Sequence, residues 1–265
     1  MDNYESYRQI DAINYSSLKQ ILRSPAHYLY AKTHPSEPTT AMRLGIAVHM
    51  AVLEPERFKS NYAVFDGAIR RGEKWENFKR KYGEENILKT DEYESVEGMA
   101  ASVAKHVNGN LFTEGSPEVV LLWRSFEFPC KGRADWIRND GTLVGLKTAR
   151  DASPHGFSRQ AAELFYALQW GMYNTGYREV YGEEPKRVVE VVVETAPPYA
   201  VCVYDIPKEV LLDGYSQFCQ ALEMLDRCQR SNNWPSYNLD HCVELEMPAW
   251  AFEDRFESLP KGVVS

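Results

Sequence analysis

The sequence contains 265 residues, of which 44% are hydrophobic and 26% charged, which is ordinary for a globular protein and sufficient for one large domain with a substantial core. This composition excludes collagen-like, disordered and disulfide-scaffold classes, and no apolar run approaches the ~18 residues of a membrane-spanning helix. The net charge of -8 argues mildly against a nucleic-acid binder, but a local basic groove can coexist with an acidic exterior.

The cysteines and the first residues bear on the cellular compartment. The five cysteines are an odd number, and none of their spacings is typical of a zinc or redox site, so we expect reduced structural thiols. The first residues lack the basic and apolar segments of a secretory signal peptide. We therefore expect a cytoplasmic protein that does not associate with a membrane.

The first 110 residues are predicted to be mainly helical. A capping-box pattern over 17–20 indicates the start of a short helix. A second helix over 41–53 is apolar on almost every side, so we expect it to be buried. Residues 67–90 are charged and contain glycine, which predicts an exposed insertion, and the segment from 90 to 106 is typical of an amphipathic helix.

Residues 111–230 are predicted to form an α/β core, because the hydrophobic period changes there from helical to alternating. An Asn-Asp-Gly turn at 139–141 predicts a hairpin between the second and third strands. The order of elements predicts a mixed sheet flanked by helices in a single domain over 1–265, whose tail, 231–265, has no clear period. The predicted core elements are strands over 118–126, 130–137 and 142–147, a helix over 156–181, strands over 187–194 and 200–204, and a helix over 207–229.

Several residues of this core and of the apolar helix are suited to chemistry. His49 lies inside the apolar helix, where a histidine is more often structural than a ligand. Asp135 lies among apolar residues at the end of the second strand, so it requires a cationic partner if it is buried. Lys147 lies on the third strand, and Gln169 and Tyr173 share one face of the following helix. Each fragment is weak alone, but their order and spacing together are specific.

These fragments resemble the RecB-like PD-(D/E)xK nucleases: Gly-Arg-Ala-Asp at 132–135, a hairpin, Lys147 and Gln-x-x-x-Tyr at 169–173, preceded by a helical histidine. The sequence is most similar to the RecE-type exonucleases, the exodeoxyribonuclease VIII group of prophages. The resemblance extends from about residue 10 to about residue 230 and implies a restriction-endonuclease-like α/β fold with an N-terminal helical elaboration, in a bacterial or phage-infected cell. Further segments that contribute to it are 17–19, 24–28, 43–45, 49–55 and 147–149.

The resemblance also implies a metal site. His49 and Asp135 become metal ligands, the backbone carbonyl of Leu146 becomes a further ligand, and Glu118 becomes an additional ligand or holds a water molecule. Lys147 becomes the catalytic lysine, which stabilises the charge that develops during phosphodiester cleavage. Hard oxygen ligands suit Mg²⁺ or Mn²⁺, and a two-metal site is expected in this family.

One position departs from the family pattern. The motif has an acidic residue two positions before the lysine, and this sequence has Gly145 there. Since the missing acid would be a ligand on the same strand face as Lys147, we expect weak metal binding and very weak or absent DNA cleavage. Three explanations stay open: an engineered or spontaneous Asp-to-Gly change in an active enzyme, natural decay to a DNA-binding remnant, or a β-bulge that requires glycine. If the chain is active, another group must replace the acid, and Glu118 is the expected candidate.

Two groups of basic residues are candidates for contacts with the DNA backbone. One group surrounds the expected site, where Gln169 and Tyr173 would position the DNA end or brace the site. The other lies in a charged segment with interleaved aromatic residues, which either stack on bases or belong to a solvated helix face that nearby acids balance. The candidates are Lys131, Arg133, Arg150 and Arg159 in the first group and Arg70, Arg71 and Lys74 in the second.

The resemblance implies a Mg²⁺-dependent 5′→3′ exonuclease that acts on linear double-stranded DNA and leaves 3′ single strands for recombination. The implied partners are double-stranded DNA ends, a single-strand annealing protein of the RecT type, and further copies of the chain in a ring-shaped trimer or tetramer. Two alternatives stay open. A catalytically dead DNA-end-binding protein would explain Gly145, and a non-nuclease interaction protein on the same fold would not bind DNA at all.

Overall fold

The computed structural model describes residues 3–35, 37–106, 109–237 and 241–247. No helix within these ranges has the length and apolar character needed to cross a membrane. The elements, in chain order, are α1 (Asn3–Gln9), α2 (Tyr15–Arg23), α3 (Pro25–Thr33), α4 (Thr40–Leu53), α5 (Pro55–Asn61), β1 (Ala63–Phe65), α6 (Glu73–Tyr82), β2 (Ile87–Lys89), α7 (Thr90–Lys105), β3 (Gly115–Ser125), β4 (Phe128–Arg138), β5 (Thr142–Ala149), α8 (Pro154–Glu163), α9 (Tyr166–Tyr181), β6 (Arg187–Glu194), β7 (Val201–Asp205) and α10 (Lys208–Ser231).

Five strands form one mixed sheet in the order β3-β4-β5-β6-β7. β5 and β6 are parallel, and the other neighbouring pairs are antiparallel. A parallel pair requires a crossover connection, which α8 and α9 provide. The structure therefore confirms the predicted mixed sheet flanked by helices, with all five predicted strands present.

Each face of the sheet packs against its own hydrophobic cluster. On one face, Leu143 and Val192 belong to a cluster that includes residues of α2, α9 and α10. On the opposite face, Leu146 and Val191 belong to a cluster that includes residues of α4 and α7. Because β5 and β6 are covered on both faces, their sequences are nearly continuous apolar runs, and any charged residue within them is exceptional.

The strands β4 and β5 separate along part of their length. Only Trp136 with Val144 and Ile137 with Leu143 are paired, next to the hairpin turn, although both strands continue well beyond these pairs. β4 continues in register with β3, and β5 continues in register with β6. The divergence leaves a fork in the middle of the sheet, and the residues that follow the last pair lie at its edges.

The segment predicted as an exposed insertion over 67–90 is largely exposed, but it is also folded around a small core of its own. Within it, α6 and β2 form a small unit with β1, which pairs in parallel with β2. Trp75 is buried in a separate cluster with Phe65 and Ile87. The charged residues lie on the outer side of α6, and the few apolar residues that form this small core are too widely spaced to show a clear period.

Three helix predictions need correction. The helix predicted from a capping box over 17–20 begins earlier, because Asn14 is its N-cap and Ser17 is the third helical residue that completes the box. The helix predicted over 156–181 is two helices, α8 and α9, separated at Phe165, whose φ of 58° is left-handed. The apolar helix α4 is only partly buried, since Met42 is 58% exposed.

α9 and α10 approach each other closely at two glycines. A Cβ atom on Gly214 would lie 1.8 Å from the carbonyl oxygen of Ala167, and one on Gly171 would lie 2.3 Å from the backbone of Gly214. Backbone atoms cannot yield to such contacts as a flexible side chain can. The absence of side chains at these two positions therefore sets the distance between the helices that cover this face of the sheet.

We expect Gly214→Ala to destabilise the protein by about 1–3 kcal/mol, because the added methyl group overpacks the helix contact. A glycine-to-alanine change within a helix ordinarily stabilises it by about 1 kcal/mol. Gly45→Ala in α4 is the matched control, since its methyl group would have no neighbour closer than 3.8 Å. Urea unfolding of both variants measures the difference, and an equal gain in stability for both would contradict this packing argument.

Candidate active site

Three elements bring together His49, Glu118 and Asp135. Each residue offers one ligand atom, and these atoms all lie within 4.8 Å of one another. His49 comes from α4, Glu118 from β3 and Asp135 from β4, and the Nδ1 atom of His49 lies 3.5 Å from Oδ1 of Asp135. Two carboxylates and an imidazole form a donor set that suits Mg²⁺ or Mn²⁺.

His49 faces this cluster as a neutral imidazole. Burial lowers its pKa below the ordinary value, although the charge of Asp135 opposes the shift. Its ring also forms a hydrogen bond with the backbone of Leu146. A neutral imidazole is the form that binds metal ions. The position of His49 therefore favours a role as a metal ligand over a purely structural role in the helix.

Glu118 reaches the cluster through a strained backbone. It lies opposite Asp135, since the pairs on both sides of it keep the antiparallel register of β3 and β4. Its φ of 53° is left-handed, which costs a non-glycine residue on the order of 1–3 kcal/mol and is characteristic of functional sites. Burial and the charge of Asp135 raise the pKa of Glu118 to about 7. Arg133 opposes this effect, with its Nε atom 2.6 Å from Oε2 of Glu118.

Asp135 lies at the fork between β4 and β5. Its Oδ2 atom accepts a hydrogen bond of 2.8 Å from the backbone N–H of Leu146, which has no backbone partner in β4 at this point. The carboxylate thus replaces a sheet acceptor on one side and joins the cluster on the other. The burial of Asp135 and its need for a cationic partner agree with the expectation from its apolar neighbours in the sequence.

Lys147 provides that cation, and its side chain is largely shielded from solvent. Its Nζ atom is 3.8 Å from Oδ2 of Asp135 and 3.5 Å from Oε1 of Glu190, and it lies over the ring of Tyr166. Burial alone would lower the pKa of Lys147, but the charges of Glu190 and Asp135 outweigh burial and hold the pKa above its ordinary value. Lys147 is therefore a permanently charged group beside the cluster.

The place of the missing acid is not empty. Gly145 pairs directly with Glu190 of the parallel strand β6, and a Cβ atom on Gly145 would lie 2.4 Å from Oε1 of Glu190. The Nε1–H group of Trp170 donates to Oε2 of Glu190 at 2.5 Å. Since β5 and β6 are in regular register here, a close side-chain approach explains the glycine, and a bulge does not.

Sequence reasoning missed Glu190, although one signal was present. The residue interrupts a run of five valines in β6, and it is 1% exposed. An acid at the centre of a buried parallel strand is costly unless a cation lies next to it. The identity of that cation depends on the neighbouring strand, so the sequence alone did not connect Glu190 with Lys147.

Gln169 and Tyr173 lie on the face of α9 that lines the site. The hydroxyl of Tyr173 accepts a hydrogen bond of 3.4 Å from the backbone N–H of Arg133, so it holds β4 two residues before Asp135. The Oε1 atom of Gln169 is buried and has no hydrogen-bond partner among the described residues. Both residues line a cavity next to Gly145, and their role in bracing the site stays a prediction.

The basic residues expected near the site separate into two kinds. Lys131 is 4% exposed, and its ammonium donates to the carbonyls of Tyr7 and Ile10 at the end of α1, so it is not available to DNA. Arg133 is engaged with Glu118. Arg150 follows β5, three residues after Lys147, and Arg159 lies in α8, and both are exposed.

The second basic group has structural partners. Arg70 pairs with Glu92 at 2.5 Å and lies over Trp75. Lys74 pairs with Asp66 at 2.8 Å, and Arg71 is exposed. Because Trp75 is buried, it cannot stack on a nucleic-acid base, and this geometry favours the alternative in which the segment is a solvated helix face.

Comparison with known proteins identifies the architecture. Residues 14–246 match a family model described as a PDDEXK-like domain of unknown function (DUF3799), and no curated protein matches the sequence. A "putative exonuclease" from Eubacterium rectale is similar in structure, with a TM-score of 0.66 and 13% identity over 96% of this chain and 97% of that chain. A phage-related exonuclease from Haemophilus somnus 129PT gives a TM-score of 0.37 and 11% identity over 84% of this chain and 96% of that chain, which is too low to support an argument. The family model and the Eubacterium rectale structure confirm the restriction-endonuclease-like fold. The closer similarity to RecE-type enzymes stays a prediction.

We expect Asp135→Asn to weaken the binding of Mn²⁺ by at least about tenfold, because the charged ligand at the centre of the cluster is lost while the bond to the Leu146 N–H is retained. His49→Ala should have a similar effect. Glu163→Gln, an exposed residue of α8, is the control for loss of one carboxylate. Isothermal titration calorimetry measures the affinities, and unchanged Mn²⁺ binding in both site variants would exclude this metal centre.

Proposed function

The chain belongs to the PDDEXK-like DUF3799 family. We propose that it is a metal-dependent exonuclease that degrades linear double-stranded DNA in the 5′→3′ direction. The product would be a 3′ single strand suitable for recombination by annealing. The observation that carries the proposal is the cluster of His49, Glu118 and Asp135 with the charged Lys147 beside it.

The residues of the cluster fit a divalent cation. Their donors are two carboxylates and a neutral imidazole. The carbonyl oxygen of Leu146, the further ligand expected from the resemblance, accepts a hydrogen bond from Lys147 Nζ at 3.4 Å. Mg²⁺ or Mn²⁺ bound there would polarise the scissile phosphate and acidify an attacking water molecule. The family resemblance implies a second cation of the same kind.

The chain's own groups then act on the phosphate. The ammonium of Lys147 remains charged and stabilises the negative charge that develops on the phosphate oxygens during cleavage. Tyr173 holds the backbone of Arg133 and thereby fixes the strand that carries Asp135. Low solvent access around Lys147, which is 14% exposed, strengthens its interaction with the phosphate.

A catalytically dead DNA-end-binding protein is the second candidate, and Gly145 at the position of the motif acid is the observation that favours it. It requires DNA binding without cleavage. The carboxylate of Glu190 lies beside Gly145, however, so the site does not lack an acid at this place. For this reason we favour an active enzyme over the impaired one expected from the sequence.

The proposed product defines the partners. A 3′ single strand is the substrate of a single-strand annealing protein, which we propose as the functional partner. A closed ring of three or four copies would enclose the DNA and admit a duplex end. Double-stranded DNA ends are the proposed substrate, and covalently closed circles would not be degraded.

The activity is tested with linear duplexes labelled at one 5′ end or one 3′ end, in Mg²⁺, with a closed circular duplex as control. The proposed polarity predicts early release of the 5′ label, retention of the 3′ label and an intact circle. Cleavage of the circle would indicate an endonuclease. Binding of linear duplex without any cleavage would favour the end-binding protein.

We expect Lys147→Gln to lower the cleavage rate by at least about 10²-fold, because the charge that stabilises the phosphate oxygens is removed. Binding of the duplex in EDTA should change by less than about threefold, since one charge among many contacts is lost. Thermal unfolding verifies that the variant folds. A rate close to that of the wild type would exclude Lys147 from catalysis.

The double change Arg150→Ala with Arg159→Ala should weaken binding of duplex DNA about tenfold and reduce the slope of log affinity against log salt by about 2. Both side chains are exposed, Arg150 directly after β5 and Arg159 in α8. Arg227→Ala in α10 is the control for loss of an exposed arginine. Fluorescence anisotropy in EDTA measures the affinities, and equal effects of the two changes would argue against a DNA path along α8.

A further inference from the structure

We propose that Glu190 supplies, from β6, the carboxylate that the Asp/Glu-x-Lys pattern places on β5, and that it is a positioning residue of the nuclease site. This inference rests on the proposed function. It assigns a role to a residue outside the motif and gives Gly145 a reason that does not involve loss of activity. The argument depends on register, on the contacts of Lys147, and on burial.

Register places the two positions side by side. Gly145 and Glu190 are partners in the parallel pair of β5 and β6, and side chains of such partners project from the same face of the sheet. Lys147 lies two residues beyond Gly145 and shares that face. The carboxylate of Glu190 fills the volume that a side chain at 145 would occupy, since an added Cβ atom would lie 2.4–2.7 Å from its three carboxyl atoms.

The contacts of Lys147 show what this carboxylate does. Its ammonium lies between Glu190 and Asp135, at 3.5 Å and 3.8 Å. Without the charge of Glu190, Asp135 alone would have to neutralise the buried ammonium. Asp135 would then be drawn toward Lys147 and would be a poorer ligand for a cation at the cluster. Glu190 therefore keeps Asp135 available and holds Lys147 in place.

Burial makes a purely structural role for Glu190 implausible on energetic grounds. It is 1% exposed between Val188 and Val192, which project from the same face into the hydrophobic core. A valine at this position would continue the run of β6 without any desolvation cost. An acidic side chain retained there, with Lys147 and Trp170 as its partners, marks a position where the site requires a carboxyl group.

The same geometry explains Gly145. A carboxylate on β6 and a side chain on β5 cannot occupy one volume, so one position must be small where the other is acidic. In this chain the small residue, Gly145, is on β5 and the acid, Glu190, is on β6. The Asp/Glu-x-Lys pattern instead places the acid on β5. The backbone N–H and carbonyl groups of Leu146 keep their places in the site.

The first test is Glu190→Gln, which keeps the shape and the acceptor for Trp170 and removes the charge. We expect the cleavage rate to fall at least about 30-fold, Mn²⁺ binding to weaken at least about fivefold, and duplex binding in EDTA to stay unchanged. Glu163→Gln on the surface is the matched control and should change none of the three. A Glu190→Gln variant with wild-type rate and Mn²⁺ affinity would overturn the proposal.

The second test moves the acid back to β5. Gly145→Asp combined with Glu190→Ala restores a carboxylate to the motif position, and Gly145→Asn combined with Glu190→Ala has the same shape without the charge. We expect the Gly145→Asp, Glu190→Ala variant to cleave DNA at least about tenfold faster than the Gly145→Asn, Glu190→Ala variant. It should exceed Glu190→Ala alone by the same factor. Gly145→Asp alone should lower the melting temperature, because both carboxylates then compete for one volume. Equal rates for the two double variants would overturn the spatial equivalence of the positions.

Failure of this inference can be told apart from failure of the proposed function. If the wild type cleaves no DNA while Glu190→Gln still weakens Mn²⁺ binding, the nuclease proposal fails and the role of Glu190 at the cluster stands. If the wild type cleaves DNA and Glu190→Gln is indistinguishable from it by rate and Mn²⁺ affinity, the nuclease proposal stands and the role of Glu190 fails.

Discussion

The buried ammonium of Lys147 is the interaction on which the arrangement of the site depends. A single charge at this depth would be strongly unfavourable, and so would either of the carboxylates that contact it. Together, Asp135 and Glu190 neutralise and surround the ammonium. The three residues come from β4, β5 and β6, so their mutual need for partners fixes these strands relative to one another where the backbone ladder between β4 and β5 has ended.

The fork between β4 and β5 makes room for chemistry within a sheet. A continuous ladder would pair the backbone of Leu146 with β4 and leave no space for ligands. Asp135 replaces the missing backbone acceptor and at the same time lies within reach of His49 and Glu118. The carboxylate of Asp135 thus accepts the hydrogen bond that the diverging strands leave unmade, and it also forms the centre of the cluster. This double role explains why the site lies at this point of the sheet.

The N-terminal helices belong to the site as much as the sheet does. α4 contributes His49 and packs on the sheet face that carries Leu146. α1 is attached to β4 by Lys131, whose ammonium binds the carbonyls at the end of that helix. The family model that matches residues 14–246 spans both the helical part from α2 onward and the sheet.

The sequence by itself determined the strands and a mixed sheet, because hydrophobic period and turn residues are properties of adjacent residues. The candidates His49, Glu118, Asp135 and Lys147 came from its resemblance to a known family. Only the tertiary structure decided which candidates meet and which basic residues remain exposed. It also showed that the exposed segment over 67–90 contains a small core around Trp75, since the apolar residues of this core are separated in the sequence and meet only in the fold. The pairing of Gly145 with Glu190 lies across 45 residues of sequence and arises only from the register of two parallel strands. A motif read along one strand reports a missing acid, whereas the sheet, which places side chains of neighbouring strands side by side, shows where a carboxylate lies.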